Sequence, residues 1–310
     1  MSNGILVLLS TYNGEKYIGS QLRSILGQTT TEKISFLIRD DGSTDGTVDI
    51  IKRTLRSCKA DYKLYRGKNV GSARSFLRLI SIAPDSDYYA YCDQDDIWVK
   101  GKLQAAKNAL EECNRTNQNT GSALWISNYN VTDEEMNIIE ESVLHKPEQI
   151  QLKALFYNNV PGCTMVFNRA LMNKLRQMKL SDFRMHDILT LCVSLISGEV
   201  IYDDNPYVLY RQHATNVIGR YHKTYSLPKW MWDKVKIVLS KESFGYAKYA
   251  RRVLEVFGDE LDDNLKKEYE LIASYKKGLS RFRLLSRPYT KDRFGRTSIS
   301  IRMRILLGKV

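Results

Sequence analysis

No apolar run in this 310-residue chain approaches the roughly 18 to 20 residues that a bilayer-spanning helix requires. A transmembrane protein is therefore not expected. Cysteine is scarce: Cys58, Cys92, Cys113, Cys163 and Cys192 are odd in number and share no paired spacing. That argues against a disulfide frame and for reduced thiols in a cytoplasmic protein. The opening, Met1 to Ser10, lacks a basic flank and its apolar run covers only Ile5 to Leu9. It reads as a first strand and not as a signal peptide. No Gly-x-Gly-x-x-Gly turn follows that strand, which disfavours a dinucleotide oxidoreductase. Internal repeats and low-complexity tracts are also lacking.

The chain is 43% hydrophobic and 26% charged, an ordinary globular balance with enough apolar residues for a sizeable core. Its net charge of +12 is unevenly placed: residues 276–310 hold 11 Lys and Arg against the single acid Asp292. A near-neutral body with a basic tail points to one local surface, suited to anionic lipid or to a nucleic acid. Nucleic-acid binding by the whole protein would need positive charge spread along a groove, so no nucleic-acid partner is expected.

Short apolar runs alternate with helical patterns through the first 113 residues. Ile5–Ser10, Ile34–Ile38, Tyr62–Tyr65 and Tyr88–Cys92 read as strands. Helical spacing follows each of them, at Glu15–Gln28, after Asp45, at Ser72–Ile82 and at Val99–Cys113. This alternation predicts an α/β fold with a doubly wound, mainly parallel sheet flanked by helices. Beyond it, strands are expected at Ala123–Asn130 and Cys163–Phe167, with short edge strands at Glu199–Tyr202 and Tyr207–Tyr210. Helices are expected at Leu152–Tyr157 and Ile188–Ile196. A composition shift places a domain boundary near residue 220, giving a catalytic domain over 1–220 and a basic helical region over 221–310. In the latter, Trp230, Trp232, Val235, Val238 and Leu239 form an apolar stripe.

The stretch around which the chain is organised is Tyr88 to Trp98. A buried-strand sequence there runs directly into Asp93, Asp95 and Asp96. Carboxylates that close repel one another unless a positive charge sits among them, and an oxygen-seeking divalent cation is the usual partner. In open α/β sheets ligands bind beyond the carboxyl ends of the strands, where Asn13, Asp40, Asp41 and Asp93–Asp96 all fall. The acidic turn Asp40-Asp41-Gly42 closes the second strand with a carboxylate suited to a base N–H or a ribose hydroxyl. Asn69-Val70-Gly71-Ser72-Ala73-Arg74 offers amides at a helix start and a guanidinium, both suited to phosphate.

These segments, with Ser10-Thr11-Tyr12-Asn13 and Asp93-Gln94-Asp95-Asp96-Ile97-Trp98, resemble family 2 glycosyltransferases of the GT-A fold. The resemblance continues through Pro161-Gly162-Cys163-Thr164-Met165, His186-Asp187 and Tyr210-Arg211-Gln212-His213 to Gly219. The later segments are most similar to the bacterial rhamnosyltransferase branch that extends cell-wall or capsular polysaccharide. The resemblance implies inverting transfer of a sugar from a nucleotide-diphosphate donor, dTDP-rhamnose by first choice and UDP-galactose or UDP-glucose as alternatives. It implies a divalent cation, Mg²⁺ or Mn²⁺, held by Asp95 with Asp93 in support; His213 matches a family histidine assigned to the metal or the diphosphate, and a lone histidine near an edge strand also suits a structural hydrogen bond. Thr11, Tyr12, Asn13, Asp41, Arg74 and Asp93 match the nucleotide-binding positions. Asp187 matches the catalytic base, although its helix start also suits an N-terminal cap. Gly162, His186 and Trp98 match the sugar and acceptor pocket, and Trp98 equally suits packing beneath the metal loop. Ile188-Leu189-Thr190 stands where many relatives carry bulky aromatics, a departure that bears on the acceptor.

A lipid-linked glycan is the acceptor implied. The Arg-rich tail interleaved with Phe282, Leu284, Leu285, Ile299, Ile301, Ile305 and Leu306 then reads as a peripheral contact with an anionic membrane surface, or as a homodimer face. A nucleotide-sugar-binding protein without transfer activity is the alternative.

Overall fold

The structure is a computed structural model that describes residues 2–116, 121–142, 144, 151–157, 160–178, 183, 185–213, 245–276, 279–291 and 299–308. The expected boundary at 220, the stripe from Trp230 to Leu239 and the segment 214–219 lie outside them, as do Arg293 and Arg296.

The first strand, β1 (Ser2–Thr11), is apolar on both faces, and Ile5 to Leu9 are all buried. Such a strand is stable only inside a sheet covered on both sides. It pairs in parallel with β2 (Ile34–Asp40) on one flank and with β4 (Ser86–Cys92) on the other. Beyond β2 lies β3 (Asp61–Arg66), whose charged and exposed residues suit a sheet edge. The chain therefore winds outward from β1 to β3 and then returns past β1 to β4. That reversal opens a crevice between the carboxyl ends of β1 and β4.

The rest of the sheet is mixed. Its other strands are β5 (Ile97–Trp98), β6 (Ser122–Thr132), β7 (Ile138–Glu140), β8 (Met165–Asn168) and β9 (Gly198–Arg211). Among the described residues the order is β3-β2-β1-β4-β8-β6-β9-β5, with β7 beside β6. β8 runs antiparallel to both β4 and β6, and β9 runs parallel to β6.

The two edge strands expected around Asp203–Asn205 are in fact one strand, β9, enclosed between β6 and β5. The register with β6 shifts where Ser127 pairs with Asp203 and Asn128 with Pro206. The polar stretch is thus a bulge, which absorbs the proline's missing N–H without ending the strand.

Helices cover the sheet with apolar stripes. In α1 (Ile18–Leu26) the buried residues are Ile18, Gln21, Leu22 and Ile25, and in α2 (Thr47–Ser57) Thr47, Ile51 and Leu55. The helix α3 (Ser72–Ile82) buries Phe76, Leu77, Leu79 and Ile80 against β1 and β2. Gly46 is the N-cap of α2, and Asp45 just before it accepts the Thr47 N–H at 3.1 Å. Further on, α4 (Lys102–Thr116) packs on β6, and α6 (Arg169–Gln177) follows β8. The last helix of this unit, α7 (His186–Ser197), is buried over most of its surface, as a helix packed on both sides must be.

The chain divides into two compact units. The first takes Met1–Pro147, Asn159–Arg176 and Met185–Gly219, and the second takes Glu148–Asn158, Gln177–Arg184 and Arg220–Val310. The second unit contains α5 (Gln151–Tyr157), α8 (Tyr246–Phe257), α9 (Asp263–Ser274), α10 (Ser280–Ser286) and α11 (Ile299–Leu306). The ring of Phe156 in α5 lies 5.0 Å from that of Tyr246 and 5.8 Å from that of Tyr289, and the Tyr157 hydroxyl donates to the Thr290 carbonyl at 2.7 Å.

Leu8 lies at the centre of β1 with no exposed surface. Leu8→Ala is expected to cost about 2–5 kcal/mol, read as a lower denaturation midpoint in urea at unchanged m-value.

Candidate active site

The crevice between β1 and β4 is built first from backbone. Past Thr11 the chain turns at Asn13, which takes a left-handed φ of 46°. Its N–H donates to Ser43 Oγ at 2.9 Å, and its side-chain oxygen accepts from the Thr44 N–H at 2.9 Å. The β1 turn is thereby tied to the acidic turn after β2. Gln94 ties it to the acidic loop after β4: Gln94 Oε1 accepts from Thr11 Oγ1 at 2.7 Å and from the Tyr12 N–H at 2.8 Å. Tyr12 itself is 44% exposed, its ring free to meet a planar ligand.

Asp41 is buried, and its carboxylate accepts from Arg39, from the Val70 N–H at 2.9 Å and from the Gly71 N–H at 2.8 Å. These donors brace the segment leading into α3. Gly71 has a φ of 85°, a conformation that disfavours a side chain. Arg74, in the first turn of α3, is exposed.

The carboxylates after β4 divide by environment. Asp95 Oδ2 lies 2.8 Å from His213 Nε2, and the Asp95 carbonyl accepts from Arg211 Nε at 2.8 Å. Asp96 is buried; its Oδ1 accepts the Arg211 N–H at 3.2 Å, and the Cys163 thiol lies beside its carboxyl. Burial, with Asp95 and Asp93 as like-charged neighbours, pushes the Asp96 carboxyl well above its ordinary range. Asp93 is pushed up to about 7 by burial and then by Asp95 and Asp187, against the opposing pull of Lys102. The Tyr17 ring lies beneath this loop's partners, stacked on His213 at 4.9 Å, with the Arg211 guanidinium 4.7 Å from its centre.

Trp98 is buried at 2% exposure, and Lys102 Nζ lies 3.7 Å from the centre of its ring. Lys102 is fully buried and donates to the Cys163 carbonyl. Burial lowers its pKa to about 8, while Cys163, Cys92, Asp96 and Asp93 act in the other direction.

His186 and Asp187 open α7 on the same side of the sheet. The His186 ring stacks on Phe76 at 4.0 Å and meets Tyr91 edge-on at 4.7 Å. Burial lowers its pKa to about 3, so it is neutral, and neither ring nitrogen has a hydrogen-bond partner among the described residues. Gly162 lies against Nε2 so closely that a Cβ at 162 would collide with it. Asp187 is buried, and its pKa rises to about 6 because desolvation outweighs the N–H of Ile188 at 2.6 Å. The helix-start dipole lowers a carboxylate pKa, but burial wins here. Asp187 is thus ionised at neutral pH, with a raised proton affinity suited to a general base.

Sequence reasoning had not singled out Gln94, Tyr17 or Lys102. Lys102 could have been found, since Lys102, Leu103, Ala106 and Leu110 share the buried stripe of α4.

Residues 6–175 match the family model described as glycosyl transferase family 2. The chain belongs to that family. It is a glycosyltransferase, and the carboxyl-end crevice just described is where its fold class binds ligands. It is 31% identical over 222 residues to the dTDP-rhamnosyl transferase RfbG of Shigella flexneri, covering 68% of this chain and 73% of that protein. It is 26% identical to the putative teichuronic acid biosynthesis glycosyltransferase TuaG of Bacillus subtilis, covering 62% of this chain and 71% of that protein. The crystal structure of S. aureus TarS 1–349 in complex with UDP-GlcNAc superposes with a TM-score of 0.56 at 15% identity, covering 98% of this chain and 90% of that one. At that identity the likeness concerns the fold, which is the GT-A fold expected.

Ionising Asp187 inside the protein opposes folding, because its folded pKa of about 6 exceeds the ordinary 3.8. The cost is complete above about pH 6 and vanishes below about pH 4, and at full burial it is on the order of 3 kcal/mol. Asp187→Asn is therefore expected to raise Tm by several degrees at pH 8 and to leave it unchanged at pH 4, measured by calorimetry.

Proposed function

We propose that this glycosyltransferase moves L-rhamnose from dTDP-rhamnose, with inversion, onto a growing lipid-linked bacterial surface polysaccharide. The observation that carries the transfer chemistry is Asp187, a buried carboxylate poised near pH 6, on the same side of the sheet as the acidic loop. The likeness to RfbG supports rhamnose, and the likeness to TuaG supports a surface polysaccharide as the product.

Asp187 accepts the proton of the acceptor hydroxyl as its oxygen bonds to the anomeric carbon. The bond from that carbon to the diphosphate oxygen breaks on the opposite face, so configuration inverts. Gly162 and neutral His186 shape the wall beside this base. The exposed Tyr12 ring and Thr11 flank the nucleotide base. Asp41 reads its N3–H with the acceptor capacity that Arg39, Val70 and Gly71 leave to a carboxylate. Arg74 and the amides at the start of α3 meet the phosphates.

A divalent cation fits the donor set present. Asp95 and His213 hold a carboxylate oxygen and an imidazole nitrogen 2.8 Å apart, and Asp93 groups with Asp96 and Cys163, their ligand atoms all within 4.8 Å of one another. This combination of oxygen and nitrogen donors suits Mg²⁺ or Mn²⁺. When bound, the ion offsets the negative charge that develops on the departing diphosphate.

The acceptor's lipid links the chemistry to a membrane surface. No helix among the described residues is long and apolar enough to cross a membrane. Leu279 and Phe282 around α10 are 69% and 63% exposed, and Met303, Leu306 and Leu307 around α11 are also exposed. Arg281 donates to the Leu306 carbonyl at 2.9 Å, which ties the two helices together. Exposed apolar side chains among arginines suit a peripheral contact with an anionic leaflet.

Turnover should be measured with dTDP-rhamnose, UDP-glucose and UDP-galactose in the presence of Mg²⁺ or Mn²⁺ and a lipid-linked glycan extract. Hydrolysis-corrected transfer from dTDP-rhamnose alone is expected. Asp187→Asn and Asp95→Asn should each lower kcat by at least about 10³-fold. The kcat/KM of the wild type should fall as pH drops through about 6, where Asp187 takes up its proton. Transfer from a UDP-sugar instead would replace the rhamnose reading, and donor binding without any transfer would favour a binding protein.

On vesicles, the protein is expected to float with phosphatidylglycerol bilayers and not with phosphatidylcholine. Phe282→Ser combined with Leu306→Ser should weaken that adsorption at least about tenfold. A double variant that floats as the wild type does, or that instead converts a dimer to a monomer in sedimentation, would overturn the membrane contact.

A further inference from the structure

Tyr91, near the end of β4, is a polar side chain with no exposed surface. Phe76 meets its ring edge-on at 5.6 Å, and the Phe167 ring lies 5.1 Å away. A hydroxyl in such a setting is stable only with a hydrogen-bond partner. It finds one in Thr190 Oγ1, equally buried, at 2.8 Å. Thr190 Oγ1 in turn donates to the His186 carbonyl at 2.8 Å. A threonine hydroxyl has one hydrogen, and that hydrogen is taken by the carbonyl. The direction is therefore fixed: Tyr91 donates to Thr190, and Thr190 donates to His186.

The His186 carbonyl and the Asp187 N–H belong to one planar peptide group. Whatever orients that carbonyl orients the plane from which Asp187 departs. Tyr91 also meets the His186 ring edge-on at 4.7 Å, while Phe76 stacks on that ring at 4.0 Å. The residue before Asp187 is thus held by backbone and by side chain. Tyr91 itself stands two positions before Asp93. One short hydrogen-bond chain links the helix that opens with Asp187 to the strand that ends in the acidic loop.

We infer that Tyr91 and Thr190 are positioning residues for Asp187: their hydrogen-bond chain fixes the start of α7 against the end of β4, and with it the place of the base relative to the donor. This rests on Asp187 as the base, proposed above. Both hydroxyls are fully buried, so they act on the reaction through the His186–Asp187 peptide and not by touching substrate. Their loss should therefore slow the chemical step and leave donor affinity as it is.

The test uses the full chain with Tyr91→Phe, Thr190→Val, the two combined, and Thr190→Ser, which keeps the hydroxyl. Turnover is measured with the donor that the wild type uses, dTDP-rhamnose on the reading above, and backbone amide hydrogen exchange is followed along α7. Tyr91→Phe and Thr190→Val are each expected to lower kcat at least about tenfold, with the donor KM within about twofold of wild type. The combination should fall no further than either alone, because both break one chain. Thr190→Ser should keep the wild-type kcat. The Leu189 N–H donates to the Met185 carbonyl at 3.3 Å in the first turn of α7. Its exchange should quicken at least about tenfold in Tyr91→Phe, while the Val193 and Ser194 amides keep their rates. A wild-type kcat in Tyr91→Phe, losses that multiply in the combination, or exchange quickened evenly along the helix would overturn the positioning role and leave the base reading standing. A wild type that transfers from no donor, or an Asp187→Asn variant with full kcat, would remove the base reading and this proposal with it. Thr190→Val strands the Tyr91 phenol; should it fail to fold, the combined variant, which removes both groups, is compared with Tyr91→Phe in its place.

Discussion

The structure turns on the repulsion among three carboxylates gathered within four residues at the end of a buried strand. Left in an apolar setting, Asp93, Asp95 and Asp96 would not ionise together. Much of what surrounds them answers that problem. Arg211 reaches the backbone of Asp95 and the side chain of Asp96, His213 meets Asp95, and Lys102 on the buried face of α4 opposes the rise of the Asp93 pKa. Tyr17 in turn packs against both Arg211 and His213. The loop is held by groups drawn from β1's turn, α4, β9 and the segment after it, so its shape depends on the sheet having closed.

The same low polarity that makes the cluster difficult is what tunes the rest of the site. Asp187 and His186 are adjacent in sequence, and both are desolvated. Burial moves the carboxyl up into the working range of a base and moves the imidazole out of it altogether. One environment thus separates the roles of two titratable neighbours: Asp187 is able to exchange a proton, and His186 is a neutral ring packed between Phe76 and Gly162. The ionised carboxylate is carried at a cost in stability, because an ionised Asp187 is a worse core residue than its amide would be.

Much of this architecture was legible in the chain. The runs Ile5–Leu9 and Tyr88–Cys92 announce strands covered on both faces, and the polar residues just past them fall at the carboxyl ends where the crevice forms. What stayed hidden has a common cause: it depends on contacts distant in sequence. Asp203 to Pro206 looks like a loop because nothing local reveals that β6 runs alongside and accommodates a bulge. Lys102 sits on a stripe of α4 that the local pattern shows as buried, but its acceptor, the Cys163 carbonyl, lies 61 positions away and is not visible from that pattern. Gln94 reads as a spacer between acids, yet it binds the β1 turn through three hydrogen bonds. Local pattern shows which residues are apolar, and not what a polar one will meet.

The interleaving of the two units has a consequence for how the protein is made. Phe156, an aromatic residue of α5, is completed against Tyr246 and Tyr289, and the second of these lies 133 positions later in the chain. At ribosomal speeds of about 5–20 residues per second, that interval is roughly 7–27 seconds. For that time the nascent chain carries Phe156 without its Tyr289 partner. All segments of the first unit are made by Gly219, so it is complete while the α5 segment inserted in its sequence still waits for the end of the message.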